Sequence, residues 1–193
     1  MLRRLYDWTI ALAEGPNAPY ALAAVSFAES SFFPVPPDVL LVPMALAKPK
    51  NAWFYAGICT LFSVLGGILG YAIGALLYDS LGKWVIELYG YGAKMDQFRA
   101  LYQEWGAWII LIKGLTPIPY KLVTIASGLA GYNFFWFVLL SAITRGVRFF
   151  VVAGLLNKFG DPIRGFIERN MALVAGLVVA GVVGGFVVVE FLL

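Results

Sequence analysis

From Trp53 to Tyr78 the chain runs 26 residues without a charge, and from Met171 to Leu193 it is again almost wholly apolar. A membrane helix needs about 20 such residues, so the pattern predicts a transmembrane helix over each stretch. Phe134 to Leu156 is long enough for another, but it carries Arg145 and Arg148, three apart and so on one helix face. An arginine at mid-span costs about 3 kcal/mol on the insertion scale, so such a residue faces protein or a water-filled cavity. Two further apolar runs are broken. Pro19 to Ala47 is interrupted by Pro34, Pro36 and Pro37, and Ala107 to Ala130 by Pro117 and Pro119. Proline lacks the backbone donor and clashes with the preceding turn, so helix must stop at both places. Each half is then about 10 to 14 residues, too short to span and of the length of a re-entrant limb. Gly82 to Gln103 and Lys158 to Asn170 are mixed and aromatic, and are expected as interfacial helices or loops.

The pattern predicts an all-α polytopic membrane protein in a single domain, 1–193. It holds two hairpin-plus-helix repeats, at 19–78 and 107–156, and a C-terminal transmembrane helix at 171–193. If each hairpin returns to its own side, the span between them inverts the second relative to the first. One side then holds Arg3, Arg4, Lys48, Lys50, Lys158, Arg164 and Arg169, and the other Lys83, Lys94 and Arg99. That bias favours the first side, with the N-terminus, as cytoplasmic. Glycines at 57, 66, 67, 70 and 74 give the first span a smooth face that lets another helix pack closely, and allow a homo-oligomer.

Composition agrees with this frame. The chain is 61% hydrophobic and 13% charged, with mean hydropathy +0.83, far from the balance of soluble domains. The stretch from Met1 to Asn17 is broken by Asp7 and Glu14 and does not read as a signal peptide. There is no histidine, so the commonest metal ligand and near-neutral acid–base group is missing. No metal or cofactor is expected, and an intramembrane lipid enzyme lacks a plausible nucleophile and base. The net charge of +3 is too small to argue for nucleic acid.

The two broken segments correspond. Glu29 lies five residues before Pro34, and Lys113 four before Pro117; Asp38 lies two after Pro36, and Lys121 two after Pro119. Interrupted apolar segments at matching positions of two halves point to a transporter binding site. With the tips meeting near the bilayer midplane, Glu29 and Asp38 are expected to face Lys113 and Lys121, with Arg145 and Arg148 nearby. Four bases and two acids leave a formal excess of +2, suited to an anion such as a lipid phosphate. Arginine grips phosphate bidentately and lysine acts as a point charge. Lys113, Lys121, Arg145 and Arg148 are thus the expected substrate-binding residues. Glu29 and Asp38 are expected to carry protons or gate the site. Buried opposite charges also serve simply to lock two hairpins together. A proton-coupled transporter of small solutes or cations uses the same parts, and a structural membrane protein would carry the charges incidentally.

At these residues the chain resembles the DedA family, also called the VTT or SNARE-associated Golgi protein domain, and within it the YqaA-like bacterial branch. The resemblance rests on E-x4-P-x-P-x-D at Glu29 to Asp38 and on G-x-x-P-x-P at Gly114 to Pro119 with flanking Lys113 and Lys121. SGLAG at Ser127 to Gly131 and RGVRFF at Arg145 to Phe150 add to it. It spans roughly Pro19 to Arg169. It implies two inverted re-entrant hairpins and lipid transport in the bacterial inner membrane. Bacterial relatives are linked to undecaprenyl phosphate recycling that depends on the proton motive force, and eukaryotic relatives are phospholipid scramblases. Glu29 and Asp38 match the family's functional acids. Lys113 and Lys121 stand where many members have arginine, and lysine cannot hold a phosphate bidentately.

Overall fold

The computed structural model describes residues 15–32, 36–78, 92–115, 120–170 and 176, and among them no strand occurs. The helices are α1 (Ala18–Ser31), α2 (Asp38–Ala47), α3 (Ala52–Leu77), α4 (Gly92–Leu115), α5 (Tyr120–Leu129) and α6 (Phe134–Arg169), with a 3-10 turn at Pro49–Asn51. Both breaks fall at the proline runs. α1 stops at Ser31, and α2 starts at Asp38 with the buried Pro37 as its N-cap. α4 stops at Leu115 and α5 starts at Tyr120. Pro34, Pro117 and Pro119 lie outside the described residues, as does the expected span 171–193 except for Gly176.

Two helices run further than their apolar cores. α4 begins at Gly92 and continues to Leu115, joining the mixed stretch to the first limb of the second broken segment. Its early residues, Ala93, Met95, Gln97, Arg99, Ala100 and Leu101, are strong helix formers, and no proline intervenes. Polarity there fixes the surroundings and does not end the helix. α6 likewise runs on to Arg169, bent at Phe159 (φ −120°, ψ 22°). Pro162, three residues on, removes one helical donor and crowds the preceding turn, which accounts for the bend.

The connection between α5 and α6 is built by its own residues. Gly131 adopts φ +65°. The Tyr132 amide donates to the Ser127 carbonyl and the Gly131 amide to Gly128, both at 3.0 Å. That is a Schellman stop, so the SGLAG run is a helix terminator. Asn133 then caps α6, its Oδ1 accepting from the Trp136 amide at 3.2 Å.

Two apolar cores sit at opposite ends of α3. One joins Ala18 and Leu22 of α1, Leu41 to Leu46 of α2, Ala52 to Cys59 of α3, and Phe149 to Leu156 of α6. The other joins Tyr102 and Ile110 of α4, Tyr120 and Val123 of α5, and Phe137 of α6, with Tyr71 of α3 against it. The start of α1 and the end of α2 share the first core, so the chain that leaves along α1 comes back along α2. α5 likewise returns beside α4. Arg99 and Gln103 of α4 donate to the carbonyls of Leu129 and Gly131 at the far end of α5, at 3.4 and 3.0 Å. The Tyr71 hydroxyl fastens the same turn through the Tyr132 carbonyl, at 2.6 Å.

α3 receives one helix of each pair on its glycine face. A Cβ at Gly66 would collide with the Phe27 carbonyl, one at Gly74 with the Ile125 carbonyl, and one at Gly70 with Thr124 and the Ser30 carbonyl. The smooth face expected to admit a partner helix is therefore filled at these positions by the chain's own α1 and α5.

Pro49–Leu77 and Phe134–Gly160 are long and apolar enough to cross a membrane, and only 28% of the most apolar window of each is buried. Leu61, Leu65, Leu69 and Leu76 of α3 are exposed, as are Ile143, Val147, Val151 and Leu155 of α6. Each set repeats at helical spacing and forms a stripe opposite the packed face.

Candidate functional site

Between the two apolar cores lies a layer of buried polar side chains: Ser26, Glu29, Ser30 and Ser31 of α1, Ser63 of α3, Thr124 and Ser127 of α5, and Ser141, Thr144 and Arg145 of α6. Ser63 and Arg145 each lie about 16 Å from the start of their helices, at ~1.5 Å per residue. The layer thus crosses α3, and the apolar part of α6 (Phe134–Gly160), near their middles.

Its centre is the ion pair of Arg145 and Glu29, Nη2 to Oε2 at 2.7 Å, with side-chain exposures of 1% and 10%. Arg145 Nε donates to Ser63 Oγ at 2.6 Å. Ser63 and Ser30 are joined at 2.6 Å, and Ser30 Oγ donates to Glu29 Oε2 at 3.1 Å. A guanidinium only donates and a carboxylate only accepts, so the direction is fixed. Ser63 accepts from Arg145 and donates to Ser30, which donates to Glu29, closing a ring of four groups. The Arg145 guanidinium also lies 4.7 Å from the ring centroids of both Tyr120 and Phe149. Cation–π contacts of this kind are worth about 2 kcal/mol when desolvated. The Tyr120 hydroxyl in turn donates to Ser141 Oγ.

One turn along α6, Arg148 Nη2 donates to Asp38 Oδ2 at 2.7 Å, but here the side chains are 26% and 25% exposed. Residues three apart on a helix share a face, so Arg145 and Arg148 together clasp the first broken segment. One holds the departing limb through Glu29, and the other holds the returning limb through Asp38.

Lys121 takes a different part from the one expected. Lys121 Nζ donates to the Phe32 carbonyl at 3.4 Å, at the C-terminal end of α1. A cation there meets carbonyls that the helix leaves unsatisfied. Glu29 and Asp38 are thus partnered by the arginines of α6, and Lys121 caps a helix end. Lys113 lies in the last turn of α4, and its side chain is outside the described ones. Thr124 Oγ1 reaches the Ser30 carbonyl at 3.1 Å, over Gly70, so the two broken segments do meet in the polar layer.

Sequence reasoning missed Ser30, Ser63, Ser141 and Phe149. For Ser63 a signal existed: a lone serine near the centre of a charge-free run, on the glycine face. With Glu29, Asp38, Lys121, Arg145 and Arg148 in place, the described site holds one positive charge in excess. Its guanidinium donors suit a carboxylate or a phosphate.

Two curated relatives match along most of the chain. A protein of Haemophilus influenzae, described only as an uncharacterized protein, is 34% identical over 184 residues, which is 95% of this chain and 95% of its own. The uncharacterized protein HI0703 homolog of Histophilus somni is 34% identical over 168 residues, 85% of this chain and 87% of its own. The chain belongs to the family of these two proteins. The identity extends over nearly the whole fold, well beyond the proline runs and the arginine helix. No family model matches the chain, and no solved structure matches it.

Proposed function

We propose that the chain is a polytopic transporter of the DedA family that moves a phosphate-bearing lipid, undecaprenyl phosphate or a phospholipid, across the bacterial inner membrane. In this reading α1–α3 and α4–α6 are inverted repeats with re-entrant hairpins, and the N-terminus is cytoplasmic. The exposed apolar stripes of α3 and α6 support a lipid environment, because a soluble protein rarely leaves so large a continuous apolar surface bare. The observation that carries the reading is the layer around Glu29 and Arg145, charged and hydroxyl-rich, near the middle of the two apolar stretches Pro49–Leu77 and Phe134–Gly160. Ionisable groups at membrane depth mark substrate or ion pathways. The phosphate is held by the basic residues while the tail stays among the apolar faces. Glu29 and Asp38 carry protons or gate the site. Tyr120 and Ser63 keep the Arg145 guanidinium in place.

The test is reconstitution into liposomes. Transbilayer movement of labelled undecaprenyl phosphate and of a labelled phospholipid is followed with and without a pH gradient, beside Glu29→Gln and Arg148→Gln. Movement that depends on both residues supports the proposal, and dependence on the gradient separates coupled transport from scrambling. Folded protein that moves neither lipid refutes it.

A further inference from the structure

The two ion pairs differ in kind, and the difference locates the ligand. Arg145 is committed: its guanidinium serves Glu29 and Ser63, lies between two aromatic rings and is 1% exposed. Arg148 is not. Among the described residues its one hydrogen bond is to Asp38, through a single nitrogen, and both side chains are about a quarter exposed. A guanidinium has five donors in a planar fork that fits a carboxylate or a phosphate equally. Asp38 is also the first residue of α2, next to the proline break, where its side chain is only partly covered.

We propose that the Asp38 carboxylate is a built-in stand-in for the ligand: it sits on Arg148 where an anionic phosphate group binds, and the ligand displaces it. The inference rests on the phosphate-lipid reading and assigns the exchangeable contact to Arg148 alone. Arg145 is a positioning residue that ties α1 to α3 and α6 and does not leave Glu29 for the ligand. The competing chemistry is that of a phosphate anion, whether it arrives as a lipid headgroup or as free phosphate.

An internal competitor makes an unusual prediction. Removing the acid should tighten binding, although it deletes a hydrogen-bonded contact in the site. The full chain, purified in an uncharged maltoside detergent, is titrated with dodecyl phosphate and separately with inorganic phosphate. Dissociation constants are read from the rise in melting temperature with ligand concentration. Dodecyl phosphate is expected to stabilise the wild type. Asp38→Asn should bind it about fivefold more tightly, the scale of a partly exposed ion pair. Arg148→Gln should lose binding, and Arg148→Lys should keep only part of it, since the fork is gone. Asp96→Asn, an exposed acid on α4, should not change the affinity, which excludes a general charge effect. Tighter binding of dodecyl phosphate than of inorganic phosphate supports a lipid as the ligand. Equal binding supports the same site with free phosphate as the ligand. Asp38→Asn binding no tighter than wild type, or binding unchanged in Arg148→Gln, overturns the inference while leaving a phosphate site elsewhere intact. No binding of either probe to any variant overturns both the inference and the phosphate-lipid reading.

Discussion

Glu29→Gln tests the polar layer most directly. The substitution keeps the shape of the side chain and removes its charge, leaving Arg145 buried without a counter-ion. Removing one partner of a buried ion pair costs about 3–5 kcal/mol. The ring through Ser63 and Ser30 survives in part, because the Gln carbonyl still accepts, so the lower end, about 3 kcal/mol, is expected. Folded domains hold only about 5–15 kcal/mol in total, so the loss should be plain. For a chain of this length about 3 kcal/mol corresponds to a fall of about 6–12 °C in melting temperature. The assay is thermal unfolding of purified protein in detergent, followed by tryptophan fluorescence and by recovery of the monodisperse species. Glu29→Met, Arg145→Met and the double variant Glu29→Met with Arg145→Met form a cycle. Replacing a whole buried pair by apolar groups is often neutral, so the double variant should be more stable than either single one. A cost of Glu29→Gln below about 1 kcal/mol, with the two substitutions simply additive, would refute the buried-lock argument.

The packing of α3 makes further demands. Gly66→Ala puts a methyl group into the Phe27 carbonyl, which is backbone and cannot turn aside, so α1 must separate from α3. A loss of more than about 2 kcal/mol is expected by the same melting assay; Gly57→Ala, where nothing lies within 4 Å, is the control and should be neutral or stabilising. Tyr120→Phe removes the bond to Ser141 and keeps the ring beside Arg145, so it should cost about 1 kcal/mol, and Tyr120→Leu clearly more; equal losses would remove the cation–π contact from the account. Gly131→Ala forces a side chain into the left-handed region at φ +65° and should cost about 1 kcal/mol, detectable as faster amide exchange at the end of α5.

Much of the fold was legible along the chain. The proline runs place both helix breaks, because a missing donor acts locally and needs no partner. Two long apolar runs mark α3 and the first part of α6, because apolar length is a property of sequence alone. The spacing of Arg145 and Arg148 already required that they point together into protein. The ends of α4 and α6 were less legible. Polarity in 92–103 and 158–169 looked like a change of element, whereas it was only a change of surroundings on a continuing helix.

The partners in the site were decided elsewhere. Matching the two broken segments position by position sets the acids opposite Lys113 and Lys121, yet the acids pair with α6. That outcome depends on α6 running antiparallel along α3, which brings Arg145 level with Ser63 and within reach of Glu29, and nothing local to Glu29 or Asp38 encodes it. The roles of Ser30 and Ser63 are of the same sort. Each is an ordinary serine until two helices approach closely enough, over glycines, for the hydroxyls to meet. The sequence by itself determined which segments are helical, where they stop and which residues must be kept from an apolar surrounding. The tertiary structure alone decided which charge answers which, and that one pair is sealed while the other stays partly open, because burial and hydrogen-bond partners are set by neighbours distant in the chain.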